Sequence, residues 1–175
     1  GNELGQVDLH FKPTVPVFDA HVMLGRRYDR PVAVDTVAGT LEAMAKAGID
    51  RALVHCPHAA DISPRDGNEM VMEMTAGHPN LVPQFVCNPT FDSLDTFAAQ
   101  VGELGVRSVR IAPILHGYPF RDWVLGPWLE WLAAERIPLW IDVTQFEQVD
   151  LHDTMERHPD VNVVLSEAHH GHTSW

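Results

Sequence analysis

Positive charge, cysteine and long apolar runs are all scarce in this sequence, and each scarcity excludes something. Twelve Lys and Arg stand against 24 Asp and Glu, a net charge of -12, with a pI near 5.2. Phosphate backbones and anionic lipid would repel such a surface, so neither nucleic acid nor membrane is expected as a partner. The two cysteines, Cys56 and Cys87, sit in apolar runs and form no disulfide framework. Buried thiols in a reducing compartment, the cytoplasm, are the expectation. There is no stretch of about 18 apolar residues to span a bilayer and no basic, apolar leader. Nucleophile elbow, phosphate loop and zinc-finger spacings are missing too. What is present is 175 residues, 45% of them hydrophobic, enough for one domain with a real core. Gly1 in place of a starting methionine suggests a trimmed native end.

The organising stretch is Val15 to Gly25, V-P-V-F-D-A-H-V-M-L-G. As a strand, with a side-chain period of two, it would set Asp19, His21 and Met23 on one face just before a glycine turn. Residues 1–14 carry Pro13 and read as an arm leading into it; the domain proper is taken as 15–175. Asp35 caps a helix with Val37, Leu41, Met44 and Ala45 at helical spacing, ended by Gly48. Arg51 to Cys56 is a second strand whose end delivers His55 and His58 around Pro57. Asp66-Gly67-Asn68 opens a helix through Met70, Met72 and Met74, methionines expected to pack. Leu81 to Cys87 is strand three, ended by Asn88-Pro89, and a helix from Asp92 or Ser93 runs towards Gly105. Val106 to Ile111 is strand four, with Arg110 near its end and Pro113 closing it. A loop from His116 to Asp122 leads into a helix carrying Trp123, Leu125, Trp128, Leu129 and Leu132, read as packing residues. Pro138 to Val143 is strand five, Leu151 to His158 a short helix, and Val161 to Glu167 strand six.

Strands alternating with helices through short links imply parallel pairing and right-handed crossovers, hence the α/β class. About six βα units fit a (β/α)8 TIM-barrel type that is incomplete here; an open, doubly wound sheet is the alternative. A six-stranded arc leaves two unpaired edges, so association into a homo-oligomer is expected.

The F-D-A-H-V-M-L-G-R run resembles the first strand of the amidohydrolase-related group, the aminocarboxymuconate-semialdehyde decarboxylase-like branch of the amidohydrolase superfamily. Further stretches match in the same order: L-E-A-M-A-K-A-G-I-D-R-A-L-V-H, H-P-N-L-V-P-Q-F, G-V-R-S-V-R-I-A-P, I-P-L-W-I-D and R-H-P-D-V-N-V-V-L-S. The resemblance implies a distorted barrel with its active site at the carboxyl ends of the strands, around one divalent metal. It also implies a hydrolase or decarboxylase acting on a small carboxylate or amide substrate.

Carried over residue by residue, the ligand set is partial. The first position of the family's His-x-His is His21, but the second is Met23, a soft thioether unsuited to a Lewis-acid metal. The strand-five histidine falls on Asp142 and the strand-six histidine on or near Glu167, with His169 and His170 next along. His21, Asp142, Glu167 and His170 are thus the candidate ligands, His21 and Asp142 the candidate catalytic groups. Such oxygen-rich ligands favour manganese or magnesium over zinc. The competing reading is a metal-free, wet barrel mouth in which Asp142 pairs with Arg110. Gly25-Arg26 and the D-W-x-x-G-P run from Asp122 to Pro127 resemble metal-poor branches.

Candidates for substrate contact come from the residues themselves. Arg110 could clamp a carboxylate by two parallel hydrogen bonds. His55 and His58 flank a strand end, with surface positions the blander expectation; Asn88 ends strand three and His116 overhangs the mouth. The H-H-G-H tail reads as adventitious metal binding rather than a site. A non-catalytic barrel that binds a small acid, or serves as an assembly subunit, is the rival function.

Overall fold

Leu139 and Ile141 alternate with Trp140 and Asp142, a period of two that buries one face and reserves the other for polar groups. Leu139–Asp142 is accordingly a strand, β6. The computed structural model describes residues 18–23, 37–48, 50–56 and 63–166, with β1 described through its backbone. The arm expected over residues 1–14 lies outside them. The other strands are β1 Phe18–Met23, β2 Arg51–His55, β3 Leu81–Pro83, β4 Phe85–Val86, β5 Val109–Ile111 and β7 Val163–Ser166. All pairings are parallel.

Strand order follows chain order: β1-β2-β3 in one sheet and β4-β5-β6-β7 in the other. The two meet in one run of chain. The expected strand Leu81 to Cys87 is divided at Gln84, whose N–H donates to Val54 O at 2.8 Å, while that of the next residue, Phe85, donates to Ser108 O at 3.0 Å. The backbone thus passes from pairing with β2 to pairing with β5. The doubly wound alternative needs a reversal of strand order. Among the described strands there is none, and the fold is of the TIM-barrel type.

β2 ends at His55, which leaves the Val86 backbone groups that face it without a strand partner. Asn68 takes the strand's place. Its Oδ1 accepts from Val86 N at 2.9 Å and its Nδ2 donates to Val86 O at 2.8 Å, so one buried amide stands in for a peptide unit.

The helices are α1 Val37–Ala47, α2 Pro64–Thr75, α3 Leu94–Leu104, α4 Pro113–His116, α5 Asp122–Glu135 and α6 Gln148–Arg157. Gly48 and Gly105 end α1 and α3 at φ 72 and 69, a left-handed turn that glycine takes without a Cβ penalty. α2 begins earlier than Asp66: Ser63 caps it, accepting from Asp66 N, and Pro64 fills the first turn, where its missing N–H is harmless. Gly67 and Asn68 are therefore buried inside the helix rather than opening it. Pro113, read as closing strand four, starts the single turn α4. α6 begins at Gln148 rather than Leu151.

The main core lies between β4–β7 and the helices α3 and α5. Phe85, Val109, Ile111, Leu139 and Ile141 meet Phe97, Leu125, Trp128, Leu129 and Leu132. Phe97 lies 5.5 Å from Trp128 and 5.9 Å from Trp131 between ring centroids, in tilted and edge-on contacts. Trp123, expected to pack with them, is instead 78% exposed.

Cys56 and Cys87 are both buried, as expected, and among the described residues neither is in a disulfide. Burial first, then the Asp92 charge, pushes the Cys87 thiol well above its usual range. Ellman's reagent at pH 8 should find no reactive thiol in the native chain and two after denaturation. A fast-reacting thiol before unfolding would contradict this packing. Tyr118 is 5% exposed, and among the described residues its hydroxyl has no partner. Tyr118→Phe should stabilise the chain by about 1 kcal/mol, since it removes an unpaired buried polar group. A loss of stability in denaturant melts would show that the hydroxyl is bonded after all.

Candidate functional site

The face opposite the helices is polar. Register sets Val109 beside Leu139 and Ile111 beside Ile141, all in the helix-facing core, so their intervening neighbours Arg110 and Trp140 share the inner face. By the same alternation Gln84, Ser108 and Ser166 lie on that face, and all three are buried.

These residues hold one another. Gln84 Nε2 donates to Ser108 Oγ at 2.8 Å, which turns Gln84 Oε1 towards Arg110 Nε at 2.7 Å. Arg110 Nη1 donates to Ser166 Oγ at 3.1 Å. The guanidinium is only 4% exposed. Burial pulls it down to about 10, with Asp142 acting the other way, so it keeps its charge at neutral pH. Among the described residues, its Nη2 has no acceptor, and neither has Trp140 Nε1.

Asp142, the last residue of β6, is half-buried. Its Oδ1 accepts from Thr144 N at 3.0 Å and Thr144 Oγ1 at 2.7 Å, a turn that ends the strand. The expected Arg110–Asp142 pair is not how the arginine is held. Among the described residues, Arg110 bonds Gln84 and Ser166, and Asp142 reaches it through its field.

His55, expected as a surface histidine, is 5% exposed at the end of β2. Ala52 and Val54 face α1 and its Met44, which puts His55 on the inner side with Leu53. Asn88 builds the loop after β4: its Oδ1 accepts from Thr90 N and Oγ1, and its N–H donates to Asp92 Oδ2. His116 closes α4, and Leu115 N donates to Gln145 Oε1 at 2.9 Å, tying this connection to the one after β6. His21 lies on β1, whose ladder with β2 slips between Asp19 and Val22. The His21 side chain, like His58, Glu167, His169 and His170, lies outside what is described.

Of the four expected metal ligands, Asp142 is the one whose side chain is among the described residues. One of its oxygens is committed to Thr144, and a buried guanidinium with an uncommitted N–H shares the face. A different donor group, His152, Asp153 and Glu156, meets on the solvent side of α6. Asp153 there is also engaged by Arg121 at 3.4 Å.

The D-W-x-x-G-P run has a structural reading. Asp122 Oδ1 contacts His158 Nε2 and so ties the start of α5 to the end of α6. A Cβ at Gly126 would stand 3.3 Å from the same oxygen. Arg121 adds a second tie, to Asp150 at 2.6 Å.

The amidohydrolase family model matches residues 7–175. The chain belongs to the amidohydrolase family. In fold it is similar to the crystal structure of an uncharacterized TIM-barrel protein from Bordetella bronchiseptica, with a TM-score of 0.58 and 18% identity. That match covers 80% of this chain and 53% of the other, so this amidohydrolase chain spans about half the length of its neighbour. No curated protein matches it.

The sequence had singled out Arg110 but not the residues that hold it. Gln84 and Ser108 were visible as polar interruptions in strands, and Trp140 as an aromatic at an inward position of the I-P-L-W-I-D run.

Proposed function

We propose that this chain forms the substrate-binding arc of a hydrolase or decarboxylase in the aminocarboxymuconate-semialdehyde decarboxylase-like branch, acting on a small carboxylate or amide. The observation that carries the reading is Arg110: buried, charged, and with one N–H uncommitted among the described residues. A buried cation held by neutral amide and hydroxyl groups keeps its affinity for an anion, because among the described residues no carboxylate is bonded to it. The substrate carboxylate would complete that pairing and bring the reacting bond towards Asp142 at the strand end. His21 and Asp142 are the groups this reading uses for proton transfer, with His55, His58, His116 and Asn88 around the mouth. Manganese, magnesium or zinc enters through the family alone, and no step here passes through a metal.

The test is a turnover screen of the full chain against small carboxylic esters, lactones, amides and β-keto acids. The expected active compound carries a second, unreacting carboxylate. Arg110→Met should reduce its kcat/KM at least about a hundredfold, while the methyl ester of that carboxylate is turned over equally poorly by both proteins. Equal rates for acid and ester in the wild type would sink the reading.

A second reading, a subunit that associates through this end of the arc, has its own support. Phe91 is 84% exposed in the connection after β4, and Ile114, Leu115, Trp123 and Val149 are exposed in the connections after β5 and β6. Sedimentation equilibrium of Phe91→Ser/Trp123→Ser decides it: a wild-type oligomer that becomes monomeric in the variant supports association there.

A further inference from the structure

Among the described residues, two donor nitrogens on the inner face have no acceptor. Arg110 and Trp140 are direct partners across the β5–β6 ladder, with strands about 4.8 Å apart. Arg110 Nη2 and Trp140 Nε1 are both shielded from solvent, and among the described residues neither finds an acceptor. A buried N–H without an acceptor is unfavourable by more than a bonded one is favourable, so such atoms are rare. Two of them on adjacent positions of one face share one remedy, an acceptor from beyond the described residues.

We propose that the Trp140 indole N–H is the second donor of the seat at Arg110, and that the pair together takes the two oxygens of one carboxylate. The inference rests on the reading of Arg110 given above and deepens it by naming the residue that sets specificity. Both groups are donors only, so a ligand cation or a ligand N–H has no place between them. The oxygens they would meet number two. A phosphate, with a third oxygen and a second charge, would need donors beyond these two; Ser108 and Ser166 accept from Gln84 and Arg110 and each keep an O–H, so the titration compares phosphate directly. Trp140 itself is half-buried, so its ring also offers an apolar wall to the carbon next to the carboxylate. A tyrosine or phenylalanine there would keep the wall and misplace or lose the donor.

The experiment is a proton–nitrogen correlation spectrum of the full chain, labelled with nitrogen-15, titrated with sodium benzoate. Benzamide and inorganic phosphate are the comparison ligands. The Trp140 indole resonance is assigned by its loss in Trp140→Phe. If that variant does not fold, an Overhauser contact to the Arg110 side chain assigns it, and the wild-type titration decides. Benzoate should move this resonance downfield and saturably, with little response to benzamide or phosphate. Trp140→Phe should bind benzoate about tenfold more weakly, the scale of one hydrogen bond to a charged group. Arg110→Met should not bind it at all. Benzoate binding that needs Arg110 while the indole stays still and Trp140→Phe binds like wild type would overturn the Trp140 inference and leave the Arg110 reading standing. Benzoate binding that Arg110→Met retains, or none at millimolar concentration, would overturn both. An equal response to phosphate would overturn the assignment to carboxylate.

Discussion

Asn68→Ala should destabilise the chain by about 3–5 kcal/mol, because each buried backbone group left unpaired is unfavourable by about 1–3 kcal/mol and two are released at once. Both bonds run to Val86, at 2.8 and 2.9 Å, where β2 has ended and β4 keeps a strand partner only on its β5 side. Against the roughly 5–15 kcal/mol that holds a domain together, this is a large fraction. Asn68→Asp is the sharper control. It keeps an acceptor for Val86 N but sets a carboxylate against Val86 O, so it too should destabilise, by about as much as alanine. Urea melts measure both. A change under about 1 kcal/mol in either would mean that water or a neighbouring segment serves Val86 as well as the amide does.

Arg110→Met should show the opposite pattern, with a large effect on binding and a small one on stability. The folded guanidinium is lowered to about 10 from 12.5 by burial, with Asp142 opposing. A base whose folded value is lowered binds its proton more weakly in the folded than in the unfolded chain. Its burial therefore costs stability at every pH below about 10, and that cost fades only above it. The shift corresponds to something on the order of 3 kcal/mol at neutral pH. Methionine removes that cost but leaves Gln84 Oε1 and Ser166 Oγ without the donor, a loss of similar size. The two nearly cancel, and the melting midpoint should move by less than about 2 kcal/mol equivalent, while affinity for a small carboxylate falls at least about a hundredfold. Wild-type affinity should be flat between pH 6 and pH 9, where the arginine stays charged and the carboxylate ionised. If Arg110→Met instead unfolds the chain, the arginine is a structural pin and its uncommitted N–H has no functional meaning.

The fold was legible where a residue type acts alone. Gly48 and Gly105 mark helix ends because only glycine takes the left-handed turn freely, and Ser93 was one of two caps named for α3. The start of α2 was misread because Ser63-Pro64, a cap followed by a first-turn proline, competed with the more conspicuous Asp66-Gly67-Asn68. The spacing of Leu125, Trp128, Leu129 and Leu132 marks the buried face of α5, but Trp123 stands two residues before Leu125, about 200° round the helix, and so faces solvent.

The site was half legible for a different reason. A basic residue near the end of an apolar strand is visible in V-R-S-V-R-I, and Arg110 is found there. What fixes it is remote: Gln84 lies 26 residues away and Ser166 lies 56. No local pattern carries a contact of that span. Asn68 could not have been read at all, since its role exists only because the Leu81 to Cys87 run changes partners at Gln84.

Calorimetric titration of the full chain with sodium benzoate at pH 7 tests most directly whether the inner face carries a seat for a carboxylate. The result expected is one equivalent bound, with no heat from benzamide and none from benzoate added to Arg110→Met. Equal heats from wild type and from Arg110→Met would contradict it.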